Sequence, residues 1–404
     1  MTKNRREKLK KNFSRMFWVK AFLNFRFINI VLSIFYIHRG ITLSEIFYLG
    51  VIWAVAGLLF EVPSSYLADR WGRKKTIMLW ALLMCVHWLI YIFASNFLWL
   101  AIGVAIYGIA HACGTGTDEA LVYDTERELG QEKNTLQKLG RYKSARNLFK
   151  IFTPIIAVII AKDLSALQFQ ILLGIDLFGS LIGLVLASRI IEPHHKMDVE
   201  EVEAGVMRDA WKIIKTKKSV VRAIVNQETL FFAVFIPWVI FQKFFVDIGL
   251  TILFIGIGWG IRHLVLFLWS WYAQRILGKN SLYKFINGLA DIFTLGSLIL
   301  LVLIFIFPNA IVLYVMFLVV NTLESFRGPF FSEFFHKRFR SYNRATTVSL
   351  SNLLHNVIEI PLVLLSGLLV ALDSRFVFVI SFVLGIIVVL FLRIKEKLSN
   401  RQIV

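Results

Sequence analysis

Long apolar runs separated by short polar links dominate the pattern of residues along the chain. Each run is close to the roughly 20 residues that a helix needs to cross a hydrocarbon core about 30 Å thick. Backbone groups in lipid must find hydrogen-bond partners within their own segment, so the runs predict helices. The alternation of apolar and polar residues that is typical of barrel strands is absent, which argues against a β-barrel. The pattern predicts twelve spans, at 16–38, 42–68, 76–94, 97–123, 144–162, 166–189, 221–246, 250–273, 285–307, 309–333, 345–371 and 376–393.

Lys and Arg residues are distributed unequally between the links. They concentrate in the N-terminal tail up to Arg15 and in the links that follow the second, fourth, sixth, eighth and tenth spans. Positively charged loops stay on the cytoplasmic side, so both termini are predicted to lie inside a bacterial cytoplasmic membrane. The first apolar run is long and lacks a small-residue cleavage site, which predicts a retained span and not a signal peptide. The opposite side holds Arg39, Lys162, Lys243 and Arg375.

The composition agrees with a membrane protein and excludes several other classes. Of the 404 residues, 57% are hydrophobic and 18% are charged, whereas soluble domains are about 45–50% apolar and about 25% charged. The net charge of +19 comes from the basic links, so it favours anionic lipid headgroups as partners and not nucleic acid. Cys85 and Cys113 fall inside spans and show no disulfide or metal-ligand spacing. The sequence contains no phosphate-binding loop motif, so ATP is not expected to drive transport. We therefore expect no cofactor and no metal.

The longest interior link divides the spans into two groups of six. It predicts an N-terminal bundle at 1–193, a cytoplasmic linker with an amphipathic helix at 194–219, and a C-terminal bundle at 220–404. The link after the eighth span, "SWYAQRILGKN", weakly repeats "SYLADRWGRKK" after the second span, with Gln274 in place of Asp69. Such a repeat is typical of two six-helix bundles related by an axis along the membrane normal.

The "SYLADRWGRKK" stretch resembles the loop between helices 2 and 3 of the major facilitator superfamily. The family pattern is Gly-x-x-x-Asp-Arg-x-Gly-Arg-Arg/Lys, and Ser65 stands in the position of its leading glycine. The stretches "GTGTDEALVYD" and "RATTVSLSNLL" are also similar to a bacterial subgroup of the family. The resemblance implies an all-α membrane protein with twelve transmembrane helices in two pseudo-symmetric six-helix bundles. The residues that match the loop pattern are Asp69, Arg70, Gly72, Arg73 and Lys74.

The charged loop is predicted to act as a gating latch between two rocking bundles. Gly72 permits a tight turn, and Arg73 is expected to pair with Asp124 at the end of the fourth span. Asp69 is expected to accept hydrogen bonds from a helix N-terminus in the other half, which the family resemblance places near 345–347. The alternative is that the loop, including Arg70, only orients the chain in the membrane.

Ionisable residues within the spans are candidates for a substrate and proton pathway, because charged groups at mid-bilayer cost several kcal/mol and usually face a cavity or a partner. By the family resemblance, segments 1, 4, 7 and 10 line the central cavity, and 2, 5, 8 and 11 flank it. The alternative for each residue is a structural pair between or along helices, such as Glu324 with Arg327. The candidates are Arg26, His111, Asp118, Glu119, Arg262, Glu324, Arg327, His355 and Glu359.

Two further acids, Asp176 and Asp291, lie on helices that resemble the outer scaffold, and we expect them to be paired or to snorkel. The sequence as a whole predicts a monomeric secondary active transporter of a small molecule, with proton-coupled efflux of a drug or metabolite preferred. An importer or facilitator for a nutrient or lipid-like solute is the alternative. A membrane-embedded enzyme using His355 or His263 is disfavoured, because such an enzyme needs neither a repeated half nor a latch loop.

Overall fold

The computed structural model describes residues 3–131, 135–194, 218–276, 282–336 and 344–395, and each regular element in these ranges is a helix. Each of the twelve predicted spans contains helix. Nine helical stretches in the described ranges are long and apolar enough to cross a membrane, and Leu354–Val370 and Phe376–Phe391 are shorter apolar helices. The all-helical membrane architecture predicted from the sequence is therefore confirmed.

The chain divides into two compact units, Met1–Glu45 with Leu49–Asp198, and Ile46–Tyr48 with Val199–Val404. The main division falls within the linker predicted at 194–219. Residues 195–217 lie outside the described ranges, and so does the amphipathic helix predicted there.

Within its described ranges, the first half of the chain contains ten α-helices. The helix α5 packs against α6 and α10, and α2 packs against α10. The helices are α1 Lys3–Lys10, α2 Asn12–Leu23, α3 Leu32–His38, α4 Leu43–Trp71, α5 Arg73–Phe93, α6 Phe97–Gly114, α7 Thr117–Glu128, α8 Thr135–Ser144, α9 Thr153–Ile160 and α10 Ala166–Ser188.

Seven α-helices lie in the described residues of the second half. The helix α11 packs against α16 and α17, and α13 packs against α14 and α17. Their ranges are α11 Lys218–Asp247, α12 Ile252–Ile276, α13 Leu282–Ile306, α14 Ala310–Phe326, α15 Gly328–His336, α16 Arg344–Val370 and α17 Phe376–Phe391. Large apolar side chains remain exposed on many helices of both halves, which suits a lipid environment and would be unfavourable in water. Examples are Phe93, Phe178, Phe267, Ile306 and Phe391.

Four of the predicted spans are not continuous helices in the described ranges. The tenth is interrupted at Arg327, between α14 and α15. The first is interrupted between α2 and a 3₁₀ turn at Ile28–Val31, and the fourth is interrupted at Gly116, which has φ +79°. The prediction of a single helix at 144–162 is wrong, because a 3₁₀ turn and irregular backbone separate α8 from α9. Pro154 lies in the first turn of α9, where its missing N–H needs no helical partner, so it starts a new helix there.

The interruption in the first span is stabilised by Asp176 of α10, which is fully buried. Its two carboxylate oxygens accept the backbone N–H groups of Phe27 at 2.7 Å and Ile28 at 3.1 Å. These donors begin the 3₁₀ turn and have no helical partner of their own. The sequence predicted that Asp176 would snorkel or pair with a base. In the structure it does neither, and it instead replaces backbone hydrogen bonds that the interrupted helix lacks. Asp291 does pair as expected, with Arg393.

Candidate functional site

The turn between α4 and α5 is fixed by a carboxylate from the far end of the first half. Gly72 ends α4 with φ +97°, a value that side chains other than glycine rarely adopt. The Glu192 carboxylate accepts the backbone N–H of Arg73 at 2.9 Å and that of Lys74 at 2.8 Å. It caps the N-terminus of α5, where the helix dipole favours an anion. A Cβ on Gly72 would lie 3.1 Å from the carboxylate carbon of Glu192, so the glycine also permits this close approach.

The Arg73 side chain forms the ion pair with Asp124 that the sequence predicts. Asp124 is 2% exposed and is also 3.5 Å from the Arg127 guanidinium. Asp69 contributes further negative charge near Arg73. The Arg70 guanidinium lies over the Tyr66 ring, 5.2 Å from its centroid. The pairing is thus present in the structure, whereas its role as a gating latch stays a prediction.

The predicted contact of Asp69 with residues 345–347 also stays a prediction. Helix α16 begins at Arg344, but the side chains of residues 344–350 are outside the described part of the chain.

The N-terminal helix α1 is joined to the same end of the first half by Arg5. Its Nε lies 2.6 Å from Glu128 Oε1, and its Nη2 donates to Glu128 Oε2 at 3.0 Å. Arg5 Nη2 also donates to the backbone carbonyl of Glu192 at 3.0 Å, and the His194 N–H donates to Glu128 at 2.7 Å. The network connects α1 with the ends of α7 and α10. In the described ranges no group of three or more His, Cys, Asp or Glu residues is arranged to hold a metal.

Inside the first half, the predicted pathway residue Asp118 is paired with a base that the sequence analysis missed. Lys20 Nζ lies 2.6 Å from Asp118 Oδ2, and the Tyr142 hydroxyl donates to the same oxygen at 2.8 Å. Asp118 is only 3% exposed, so its charge is compensated within the bundle. Glu119 pairs instead with Lys143, at 3.0 Å. Lys20 was not assigned a role because it lies near the start of the first apolar run and resembles a flanking residue.

Arg26 occupies the interruption between α2 and α3. Its Nη1 donates to the Tyr107 hydroxyl of α6 at 2.5 Å, and its guanidinium also approaches the face of that ring, 4.7 Å from the centroid. The His87 ring stacks on Tyr107 with centroids 5.1 Å apart. The exposed His111 imidazole is 5.4 Å from the Trp53 ring of α4. The structure therefore brings the predicted residues Arg26 and His111 together with an aromatic group.

In the second half, a histidine lies between two buried acids. His355 Nδ1 of α16 is 2.7 Å from Glu228 Oε2 of α11, and its Nε2 is 3.5 Å from Glu359 Oε2. Glu228 is 8% exposed and Glu359 is 2% exposed. The Phe232 ring packs against the imidazole with centroids 4.9 Å apart, which limits access of water. The sequence indicated His355 and Glu359 but gave Glu228 no role, although its place within an apolar helix was a signal.

A second group of charges in this half contains two buried arginines and one acid. Arg262 of α12 donates to the Asn321 carbonyl at 3.1 Å and to the Ser325 hydroxyl at 2.8 Å. Arg327 is 1% exposed and donates to the Asn226 side chain. Glu324 lies within electrostatic range of both arginines and of Glu228. The acid that contacts His355 across helices is thus Glu228, whereas Glu324 and Glu359 were the candidates among the glutamates of this half.

These observations define a class of protein: a multi-pass helical membrane protein whose two halves each carry paired ionisable groups in their interior. The sequence matches the Major Facilitator Superfamily over residues 20–361, and the chain belongs to that family. It is therefore a transporter of a small solute and not an enzyme, and it has the major facilitator fold. No curated protein matches the sequence significantly.

Solved structures share this fold at low sequence identity. The nucleoside transporter NupG is 13% identical with a TM-score of 0.74, and the match covers 94% of this chain and 98% of that one. A bacterial homologue of the human lysosomal transporter Spinster, in an inward-facing and unoccupied conformation, is 13% identical with a TM-score of 0.72, covering 99% and 98%. A D-xylose–proton symporter is 11% identical with a TM-score of 0.67, covering 100% of both chains. At these identities the likeness concerns the fold alone.

Proposed function

We propose that the protein is a proton-coupled secondary active transporter that exports a small amphipathic solute by alternating access. The proposal places it in a bacterial cytoplasmic membrane with both termini in the cytoplasm, since the basic links predict that orientation. The observation that carries the proposal is the Glu228–His355–Glu359 group, in which two buried carboxylates share one imidazole.

The group has the properties of a proton carrier. With both acids ionised and the imidazole protonated, it carries one net negative charge in a medium of low dielectric constant. Such a charge is unfavourable when buried, and one further proton removes it. The three groups titrate as a unit, because each charge changes the energy of the other two. A side chain that charges between pH 5 and 8, as an unperturbed histidine does, suits this task.

Proton binding at this group is coupled to helix packing. The contact between Glu228 and His355 joins α11 to α16, and it is strongest when the imidazole is protonated and the carboxylate is ionised. Protonation of Glu228 removes its charge and weakens the contact. A conformation in which α11 and α16 pack differently is then favoured, which is the kind of population shift that alternating access requires.

The Arg262, Glu324 and Arg327 group has a different role in this proposal. Arg262 and Arg327 outnumber the single acid, so Glu324 serves to balance positive charge in this group. The sequence named Glu324 and Glu359 as candidates for the proton pathway. In this proposal Glu359 keeps that role, and Glu228 takes the place of Glu324.

Export is the direction that we propose, with uptake as the alternative. The fourth segment has no mid-helix arginine and the fifth has no glycine run around Pro154, both of which drug–proton antiporters of the family carry. These two absences count against export by antiport, but they do not establish uptake. One structural neighbour is a D-xylose–proton symporter, so the alternative keeps proton coupling and reverses the relative direction of the solute. Growth with and without the gene in a panel of toxic compounds separates the two, because export protects cells and uptake sensitises them.

The coupling is tested in proteoliposomes with a compound identified in that screen. Solute flux is measured with and without an imposed proton gradient. Glu228→Gln and Glu359→Gln should abolish gradient-driven accumulation and retain solute exchange at equal pH. Asp291→Asn is the matched control, because its carboxylate pairs with Arg393 outside this group. Well-folded Glu228→Gln and Glu359→Gln proteins that are still fully driven by the gradient would remove the group from the mechanism.

A further inference from the structure

We propose that Arg26 binds the anionic group of the transported solute, which is an organic anion with a carboxylate or phosphate on an apolar body. The inference rests on the transport function proposed above and adds the chemical class of the solute. It concerns the first half of the chain alone, where Arg26 contacts Tyr107 and the Trp53 ring packs against both Tyr107 and His111. The proposal places the anionic group of the solute beside these four residues, at a position that we call the Arg26 recess.

The first argument is charge balance. In the part of the chain that the structure describes, no carboxylate oxygen lies within the 4.0 Å ion-pair distance of the Arg26 guanidinium. The two acids of this region are otherwise engaged: Asp118 holds Lys20, and both oxygens of Asp176 accept backbone N–H groups. Asp176 lies within electrostatic range of Arg26 but does not contact it. A guanidinium about ten residues into a membrane span without a counter-ion is unfavourable, and an anionic ligand supplies one.

The second argument is independent and concerns hydrogen bonds. Arg26 Nε and Trp53 Nε1 are both buried N–H donors without an acceptor in the described structure. The two donors flank one aromatic ring, since Arg26 contacts Tyr107 and the Trp53 ring is 6.0 Å from it. Buried donors are almost always satisfied in proteins, and an unsatisfied donor costs about 1–3 kcal/mol. The oxygens of a carboxylate or phosphate are acceptors that satisfy such donors and balance the charge in one contact.

The third argument is access. Irregular backbone occurs at membrane depth where it is buried in protein or lines a cavity, and the first and fourth spans are both interrupted beside Arg26 and His111. His111 is exposed although charged neighbours lie around it, namely Arg26, Lys20, Asp118 and Arg146. Charged groups at membrane depth usually face a cavity or a partner, so this cluster favours a position that a polar solute can reach. The Arg26 recess is therefore open to a solute.

The walls of the recess indicate the rest of the solute. The rings of Trp53 and Tyr107 are 6.0 Å apart, and aromatic side chains favour an apolar or aromatic body. Lys20, Arg26 and Arg146 together outweigh Asp118, so the local field repels cations. A neutral or cationic analogue of the same shape gains the packing and loses the charge-assisted hydrogen bonds.

The inference is tested by equilibrium binding to the full chain in nanodiscs of phosphatidylcholine, which carries no net charge. The probe is radiolabelled phenylacetate, and the competitors are phenyl phosphate, phenylacetamide and phenethylamine. We expect phenylacetate to bind, and the neutral amide and the cationic amine to compete at least tenfold more weakly than unlabelled phenylacetate. If phenyl phosphate competes more strongly than unlabelled phenylacetate, the solute carries a phosphate. If phenylacetate competes more strongly, the solute carries a carboxylate.

Variants then locate the site. Arg26→Gln should weaken phenylacetate binding at least tenfold, and Arg26→Lys, which keeps the charge, should weaken it less. Lys162→Gln is the control, because it removes an exposed positive charge on the same half of the chain. If Arg26→Gln does not fold, Trp53→Phe provides the test, since it keeps an aromatic ring, loses the N–H donor, and should weaken binding about threefold.

Three results would overturn the inference: no binding of either anion to folded wild-type protein, equal competition by phenylacetamide, or unchanged binding in the folded variants. Because binding is measured at equilibrium without a gradient, it does not depend on proton coupling. Glu359→Gln should bind phenylacetate like the wild type while losing gradient-driven accumulation. If the protein binds no anion but still transports another solute with the proton gradient, the inference about Arg26 is wrong and the proposed function is retained.

Discussion

The Glu192 carboxylate accepts the backbone N–H of Arg73 at 2.9 Å, although 119 residues separate the two positions. The same Arg73 uses its side chain to hold Asp124. One residue of the α4–α5 turn is thus held twice, through its backbone by the end of α10 and through its guanidinium by α7. A turn held in this way resists local opening, and it moves only with the helices that hold it.

Glu192→Gln should lower the thermal stability of the protein by about 0.5–2 kcal/mol, because the amide keeps one acceptor oxygen but loses the charge that the helix N-terminus favours. Thermal unfolding in detergent micelles measures the change. Asp247→Asn is the control, since its exposed i,i+4 pair with Lys243 should contribute little. An equal loss in both variants would show that Glu192 has no special capping role.

Asp69→Asn should preserve folding and membrane insertion but lose most transport, if the loop is a gating latch. The amide keeps the shape of the side chain and loses a charge–dipole interaction of about 0.3–2 kcal/mol. Gln274→Ala, at the equivalent position of the repeated loop, should have a much smaller effect on solute flux in proteoliposomes. Mild and equal effects at the two positions would favour a loop that only orients the chain.

Asp176→Asn should destabilise the first half, because an amide has one oxygen for two buried N–H donors and places its own N–H₂ against the other. An unsatisfied buried donor costs about 1–3 kcal/mol. The loss is measured by thermal unfolding and by protease sensitivity near Asn24. Asp291→Asn is again the control, and it should change stability less, because its partner Arg393 is exposed. Equal stability of the two variants would contradict the role given to Asp176.

Reporter fusions test the orientation of the chain. Fusions after Lys133, Lys217 or Lys337 should report the cytoplasm, because these positions lie in basic links. Fusions after Arg39, Lys162 or Asn309 should report the outside. Reversed signals at two or more of the six positions would contradict both the orientation and the number of spans.

The sequence by itself determined which stretches are helical and apolar enough to lie in lipid. Apolar length is a local property, so the runs predicted helix in every span, and the family loop pattern placed Arg73 beside Asp124 correctly. The interruptions at Asn24 and before Pro154 were missed because a few polar residues, such as Asn24 and Lys150, do not end an apolar run. Hydropathy measures the transfer of side chains into lipid, whereas the continuity of a helix depends on its backbone hydrogen bonds.

Only the tertiary structure decided which polar groups meet. Asp176 reaches the backbone at Phe27 across 149 residues, Lys20 reaches Asp118 across 98, and Glu228 reaches His355 across 127. Spacing along one helix identified His355 with Glu359, because residues four apart share a face. It had no means of identifying Glu228, since a contact between helices depends on how their surfaces pack. The apolar composition of a segment thus determines whether it can lie in lipid, whereas the packing of the helices determines which charged side chains meet.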